Sequence, residues 1–154
     1  MIRFTVFPML ASVLCGQTLE IPAVRADRGK PNIIRILLKP RTDQPLTALQ
    51  WELVTPPGWL VDASEIVPGG AASSAEKSLT CSSRTDPKDG RVYLCILAGS
   101  QQVLPEGVIA IVKFTATAVA HTGQVMAHVR KVQGVSKDLK SVPIPNADVS
   151  VTIR

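Results

Sequence analysis

Apolar and polar residues alternate along most of this chain. Leu49, Trp51 and Leu53 interleave with Ala48, Gln50 and Glu52, and Val108, Ala110, Val112, Phe114 and Ala116 interleave with Lys113, Thr115 and Thr117. A repeat of two is the mark of a strand with one face buried, because successive side chains leave a strand on opposite sides. The same reading gives strands over 18–23, 32–39, 47–54, 60–67, 79–83, 91–97, 108–119, 124–133 and 148–153, separated by Pro, Gly, Asp and Asn. No segment sustains a repeat of 3.6, and 68–75 (PGGAASSA) reads as a loop by composition. About nine short strands with frequent turns predict an all-β sandwich in one domain.

One hairpin can be specified further. Asp86-Pro87-Lys88-Asp89-Gly90 is a strong turn signal between two strands. Symmetry about Lys88 sets Cys81 opposite Cys95, Leu79 opposite Leu97 and Ser83 opposite Tyr93. Directly opposed residues in an antiparallel pair are about 4.5–5.5 Å apart at Cα, within reach of a disulfide. Closing that loop stabilises a fold by roughly 3 kcal/mol in the chain-entropy account.

The first residues follow a different pattern. Met1-Ile2-Arg3 is a short basic start, and residues 4–15 (FTVFPMLASVLC) carry no charge. This is the layout of a secretory signal peptide over residues 1–15, with Val13 and Cys15 as the small-side residues before a cut near 15/16. The apolar run is shorter than the about 20 residues a spanning helix needs, so the mature chain is read as having no membrane span. Leu14 stands where a lipid-attachment motif wants a small residue. Processing removes Arg3 and Cys15, leaving Cys81 and Cys95 as a pair, and an even count in an exported protein reads as a disulfide. The expected location is periplasmic, extracellular or cell-surface, and the domain occupies residues 17–154.

Composition narrows the partners. The 154 residues hold 17 Lys and Arg against 12 Asp and Glu, a formal charge of +5, with only 4% aromatic residues. The cations are scattered and few aromatics lie among them, which argues against nucleic acid. Arg130, Lys131, Lys137 and Lys140 surround Gly134, read here as a loop that could meet an anionic surface. Lys on an edge also discourages sheet-to-sheet aggregation.

Four segments together resemble a known family. Thr47-Ala-Leu-Gln-Trp-Glu-Leu53, Pro57-Gly-Trp-Leu-Val61, Gly90-Arg-Val-Tyr-Leu94 and Glu106-Gly-Val-Ile-Ala-Ile-Val-Lys-Phe114 are similar to the strands of cohesin-like domains, and 148–153 to their closing strand. The resemblance covers about residues 18–153. It implies a jelly-roll sandwich of about nine strands, related to carbohydrate-binding modules, and a non-catalytic role in binding a dockerin-type protein or a polysaccharide in an extracellular or envelope assembly. This chain has Val54-Thr55-Pro56-Pro57 where the family usually carries Tyr-Asp-Pro, and that departure touches the partner more than the fold.

Candidate chemistry is sparse. Trp51 points inward by alternation; Trp59, after Pro56-Pro57-Gly58, either plugs the sandwich or stands exposed, and with Tyr93 it is the candidate binding pair. His121 and His128 are seven apart, on opposite faces of any one strand, so they make a poor ligand pair, and no Cys or carboxylate partner stands at metal-ligand spacing. Ser74-Ala-Glu-Lys77 matches a two-residue string of some acyl-enzyme hydrolases but lacks the companion motifs. Glu52, Asp62 and Glu65 read as solvent-facing, although a glycan-active hydrolase would have to draw its carboxylates from them. No cofactor or metal site is expected, and a structural envelope or adhesion domain is the other binding-free reading.

Overall fold

The computed structural model describes residues 16–154; the signal reading on residues 1–15 lies outside them. The strands are β1 (Thr18–Glu20), β2 (Val24–Ala26), β3 (Pro31–Lys39), β4 (Leu46–Thr55), β5 (Trp59–Leu60), β6 (Val67–Pro68), β7 (Lys77–Asp86), β8 (Gly90–Gly99), β9 (Gly107–Ala116), β10 (Gly123–Ser136), β11 (Ser141–Pro143) and β12 (Ala147–Ile153). They form two sheets. One runs β1-β3-β9-β5, with β6 also on β9; the other runs β2-β12-β10-β4-β8-β7, with β11 on β10. Every pairing is antiparallel except β12 with β2.

Alternation decides which side chains meet between the sheets. Leu49, Trp51 and Leu53 from β4 face Ile34, Ile36 and Leu38 from β3, together with Val112 and Phe114 from β9, all within 2% of full burial. Burying each such side chain contributes about 1.5–3 kcal/mol against leaving it in water, which fixes register, since a slip of one residue would turn the whole row outward.

The all-β sandwich stands, with twelve strands among the described residues where about nine were anticipated; five of the twelve are fragments of two or three residues. The segment 60–67 is two strand fragments around a 3-10 turn at Ala63–Glu65, whose N-cap Asp62 accepts from the Ser64 backbone N–H. The expected loop at 68–75 contains a one-turn helix, α1 (Gly70–Ser74), because Ala71 and Ala72 bury themselves against the sandwich. Gly69, just before it, packs so tightly that an added Cβ would lie 2.4 Å from the Val108 carbonyl oxygen. Gly134 is inside β10 rather than in a loop, and a Cβ there would meet Leu46 Cδ2 at 2.7 Å.

The hairpin of β7 and β8 has the register expected of it. Cys81 opposes Cys95, Leu79 opposes Leu97 and Ser83 opposes Tyr93. The two sulfurs are bonded, with Cα atoms 4.2 Å apart. In the turn, the Asp86 carboxylate accepts from the backbone N–H groups of Lys88 at 2.8 Å and Asp89 at 3.1 Å, and those two bonds hold its pKa below the usual value.

Candidate functional site

Trp59 and Tyr93, the candidate binding pair, both lie in the core. Trp59 is 7% exposed and stacks on Phe114 with ring centroids 4.2 Å apart. Gly58, at φ +84° against the backbone of Ala120, makes the turn that swings the indole inward. Tyr93 is 2% exposed and its hydroxyl donates to the Val61 carbonyl at 3.1 Å; burial pushes its pKa up. Its ring faces the sandwich interior because 93, 95 and 97 share the inward parity of β8.

The outer face of the seven-stranded sheet holds a different feature. Glu52 leaves β4 on that face, between Leu94 of β8 and Arg130 of β10. It was expected in solvent, yet it is 7% exposed. One carboxylate oxygen accepts from Arg130 Nε at 3.0 Å; the other accepts from Arg84 Nη2 at 3.0 Å and lies 3.6 Å from Lys131 Nζ. Arg130 also donates to Asp89 in the hairpin turn at 2.8 Å. Burial alone would raise the Glu52 pKa, but the hydrogen bonds from Arg130 and Arg84, with the charges of Arg84 and Lys131, more than offset it and hold the carboxyl below its usual value.

The network depends on an irregularity. The pairing of β10 with β4 shifts register between Arg130 and Gln133, and Lys131 there takes a left-handed φ of 50°. The bulge sets Arg130 and Lys131 beside the same carboxylate, where a regular strand would turn them to opposite faces.

Further along the same face lies a cleft of about 450 Å³. Its floor is Ala48, Ala98 and Gly99, and its walls include Val135, Lys137 and Leu139. Leu139 is 84% exposed and held at φ 62° in the connection from β10 to β11. Hydrogen bonds from the Leu139 N–H to the Ser136 carbonyl, from the Ser136 N–H to the Lys140 carbonyl and from the Lys137 N–H to the Pro45 carbonyl fix that connection. Ile96, 45% exposed, links the cleft to the Glu52 network across the sheet.

The remaining candidates are placed apart. Ser74 donates its hydroxyl to the Ala71 carbonyl, while the Lys77 ammonium donates to the Ser100 carbonyl, so the two do not form a nucleophile and base. Lys77 is 5% exposed, and burial lowers its pKa. Asp62 caps its own turn and Glu65 is exposed in that turn. The exposed His128 has its Nδ1 2.7 Å from Asp148 Oδ1 on β12. His121 is exposed in the connection before β10. Among the described residues, no three of His, Cys, Asp and Glu come together to hold a metal ion, and no helix is long and apolar enough to cross a membrane.

The Glu52 network was hidden from the sequence because Gln50 and Glu52 occupy the polar half of an alternating strand. Its only signal was the unbalanced group of Arg84, Arg130 and Lys131, dispersed over 47 positions of chain whose meeting requires the sheet order β10-β4-β8-β7.

No family model matches the chain, and no curated protein matches it in sequence. Solved structures do match in shape. A non-cellulosomal cohesin from the archaeon Archaeoglobus fulgidus superposes with a TM-score of 0.66 at 13% identity, covering 90% of this chain and 91% of that one. The cohesin module of a family 33 glycoside hydrolase from Clostridium perfringens gives 0.68 at 10% identity, covering 90% and 96%. A type I cohesin–dockerin complex from Clostridium thermocellum gives 0.68 at 14% identity, covering 90% and 99%. The fold is therefore that of a cohesin-like jelly roll.

Proposed function

We propose that this cohesin-like sandwich is an exported, non-catalytic interaction module that receives a protein partner of dockerin type on the outer face of its seven-stranded sheet. The observation that carries the reading is the small-residue cleft at Ala48, Ala98 and Gly99, set on the same face as the Glu52 ion network. A floor of small side chains leaves room for one or two bulky apolar side chains of a partner, the anchors that supply most of the energy of such interfaces. The guanidinium groups tied to Glu52 give the rest of the face a fixed, positively biased surface that orients the partner. The Clostridium thermocellum structure pairs a cohesin with a dockerin, which makes a dockerin the first partner to try.

A polysaccharide has less to hold. Trp51, Trp59, Tyr93 and Phe114 are all buried, so among the described residues no aromatic ring is presented for stacking on sugars. Export rests on the basic-then-apolar start of the chain and on the Cys81–Cys95 disulfide, a bond that persists in oxidising compartments.

Calorimetric titration of the purified protein with dockerin modules tests the partner. Binding is expected, with at least a tenfold loss in Ala98→Arg, which fills the cleft without touching the core. Absence of binding across the dockerin panel, or equal binding by Ala98→Arg, overturns the reading. Intact mass of protein recovered from its source tests export: the expected chain starts near Gly16 and shows no free thiol when unfolded without reductant.

A further inference from the structure

The five-stranded sheet also has an open outer face, and its composition differs from that of the other. Register places Ile33 of β3 beside Lys113 of β9, Arg35 beside Ile111, Val67 of β6 beside Ile111, and Leu60 of β5 beside Thr115. Leu60 is 64% exposed, Val67 42% and Ile33 39%. Four strand segments thus present an apolar band in which Arg35 and Lys113 stand on either side of the Ile33–Ile111 diagonal. Neighbours diagonal to each other on a sheet are close enough for their side chains to form a continuous surface.

The charge on this face is one-sided. Arg35 and Lys113 are exposed, and neither has an ion-pair or hydrogen-bond partner among the described residues. Glu20, an acidic residue on the same face, is committed to Lys39 at 3.0 Å, and Glu106, just ahead of β9, acts on the same lysine. On the margin, Asp62 is engaged in capping Ser64, which leaves Glu65 of the 3-10 turn as the rim anion. Two unmatched cations flanking an aliphatic band fit a partner surface that is apolar and acidic.

We propose that the outer face of the five-stranded sheet is a second docking surface, taking an acidic, aliphatic protein segment. The chemistry of this face selects that occupant over the alternatives. A second copy of this chain, meeting face to face about a two-fold axis, would bring a second unpaired Arg35 and Lys113 into the same interface. A lipid surface is usually entered by aromatic or protruding apolar groups, whereas here the rings are in the core and Ile33, Ile111 and Val67 are β-branched side chains lying on a sheet. A carboxylate-bearing segment satisfies a guanidinium in two parallel hydrogen bonds while its aliphatic side chains cover Ile33, Ile111 and Leu60.

The test uses the folded protein with a synthetic peptide of alternating Glu and Leu, a Lys-Leu counterpart, and vesicles of phosphatidylglycerol, followed by backbone amide shifts. The Glu-Leu peptide is expected to shift β3, β5 and β9 amides, and to bind at least tenfold more weakly to Arg35→Glu/Lys113→Glu and in higher salt. Leu60→Ser, at an exposed edge position, is expected to weaken binding several-fold and serves if the double variant does not fold. Ala98→Arg on the opposite sheet is expected to bind the peptide like the parent, which separates this proposal from the dockerin reading. Equal binding of the Lys-Leu peptide, binding unchanged by charge reversal, binding to vesicles alone, or a dimer that closes through this face would each overturn it.

Discussion

Glu52 shows how a single residue is placed by partners far away in sequence. Its carboxylate is nine-tenths covered by side chains from β7 and β10, and a charge so buried is tolerated only when paired. With its pKa held below the ordinary glutamate value of about 4.3, the folded state binds this proton more weakly than the unfolded state. Its stabilisation is therefore fully present above that value and is lost as pH falls through the lower folded one. Glu52→Gln should cost about 2 kcal/mol at neutral pH and flatten the acid limb of the stability curve below about pH 4, measured by urea unfolding at stepped pH. Lys77 shifts in the same direction, in a higher pH window. Burial lowers its pKa, so the unfolded chain holds a proton the folded one has released, and stability should rise with pH up to the ordinary lysine value of about 10.4. Lys77→Met is expected to abolish that rise in the same measurement, because the titrating group is gone. Of these two residues the sequence shows only that each belongs near a strand; burial of a charged side chain depends on which strands become its neighbours, and that is a long-range property.

Elements with their own local signals were readable, and those that rest on distant packing were not. The hairpin of β7 and β8 is specified within itself, by the Asp86–Gly90 turn and by the alternation on both arms, so its register and the Cys81–Cys95 pair followed from symmetry about Lys88. β4 and β9 were equally plain, since one face of each is continuously apolar. The helix α1 was missed because Gly-Ala-Ala-Ser-Ser has no sustained periodicity, and it exists because Ala71 and Ala72 find a surface to bury against. Trp59 was undecided for a similar reason: the Pro-Pro-Gly turn permits either direction, and Phe114, 55 residues away, supplies the stacking that selects one. The connection from β10 to β11 carries a further consequence. Leu139 sits at φ 62° with 84% of its surface exposed, a conformation that costs a residue bearing a Cβ of order 1 kcal/mol. Leu139→Gly should relieve that strain and raise the melting temperature, or at worst leave it unchanged, while removing one wall of the cleft and weakening the dockerin-type partner several-fold. A stabilised variant that still bound the partner as tightly would show that Leu139 is not part of the docking surface.

At the scale of the whole molecule, the two sheets turn their open faces in opposite directions. Side chains of one inner layer lie between them, and packed sheets stand about 10 Å apart, so a partner on one face cannot touch a partner on the other. Sites that share no residues and are separated by more than about 7–10 Å combine additively in most proteins. Saturating the seven-stranded face with its protein partner should therefore leave the affinity of the five-stranded face for the Glu-Leu peptide unchanged within about 0.5 kcal/mol. Likewise, the binding losses of Ala98→Arg and of Arg35→Glu/Lys113→Glu should each appear at one face only when combined in a single chain. Competition between the two ligands would mean that they share a face, and a large coupling without competition would mean that the core transmits between the sheets. Independence is what the packing predicts: Trp51, Phe114 and their neighbours fill the layer between the faces with large, fully buried side chains, and an interior filled in that way is expected to hold its arrangement when one side is bound. The domain would then bridge two partners by geometry alone, with the product of two separate affinities and no communication between them.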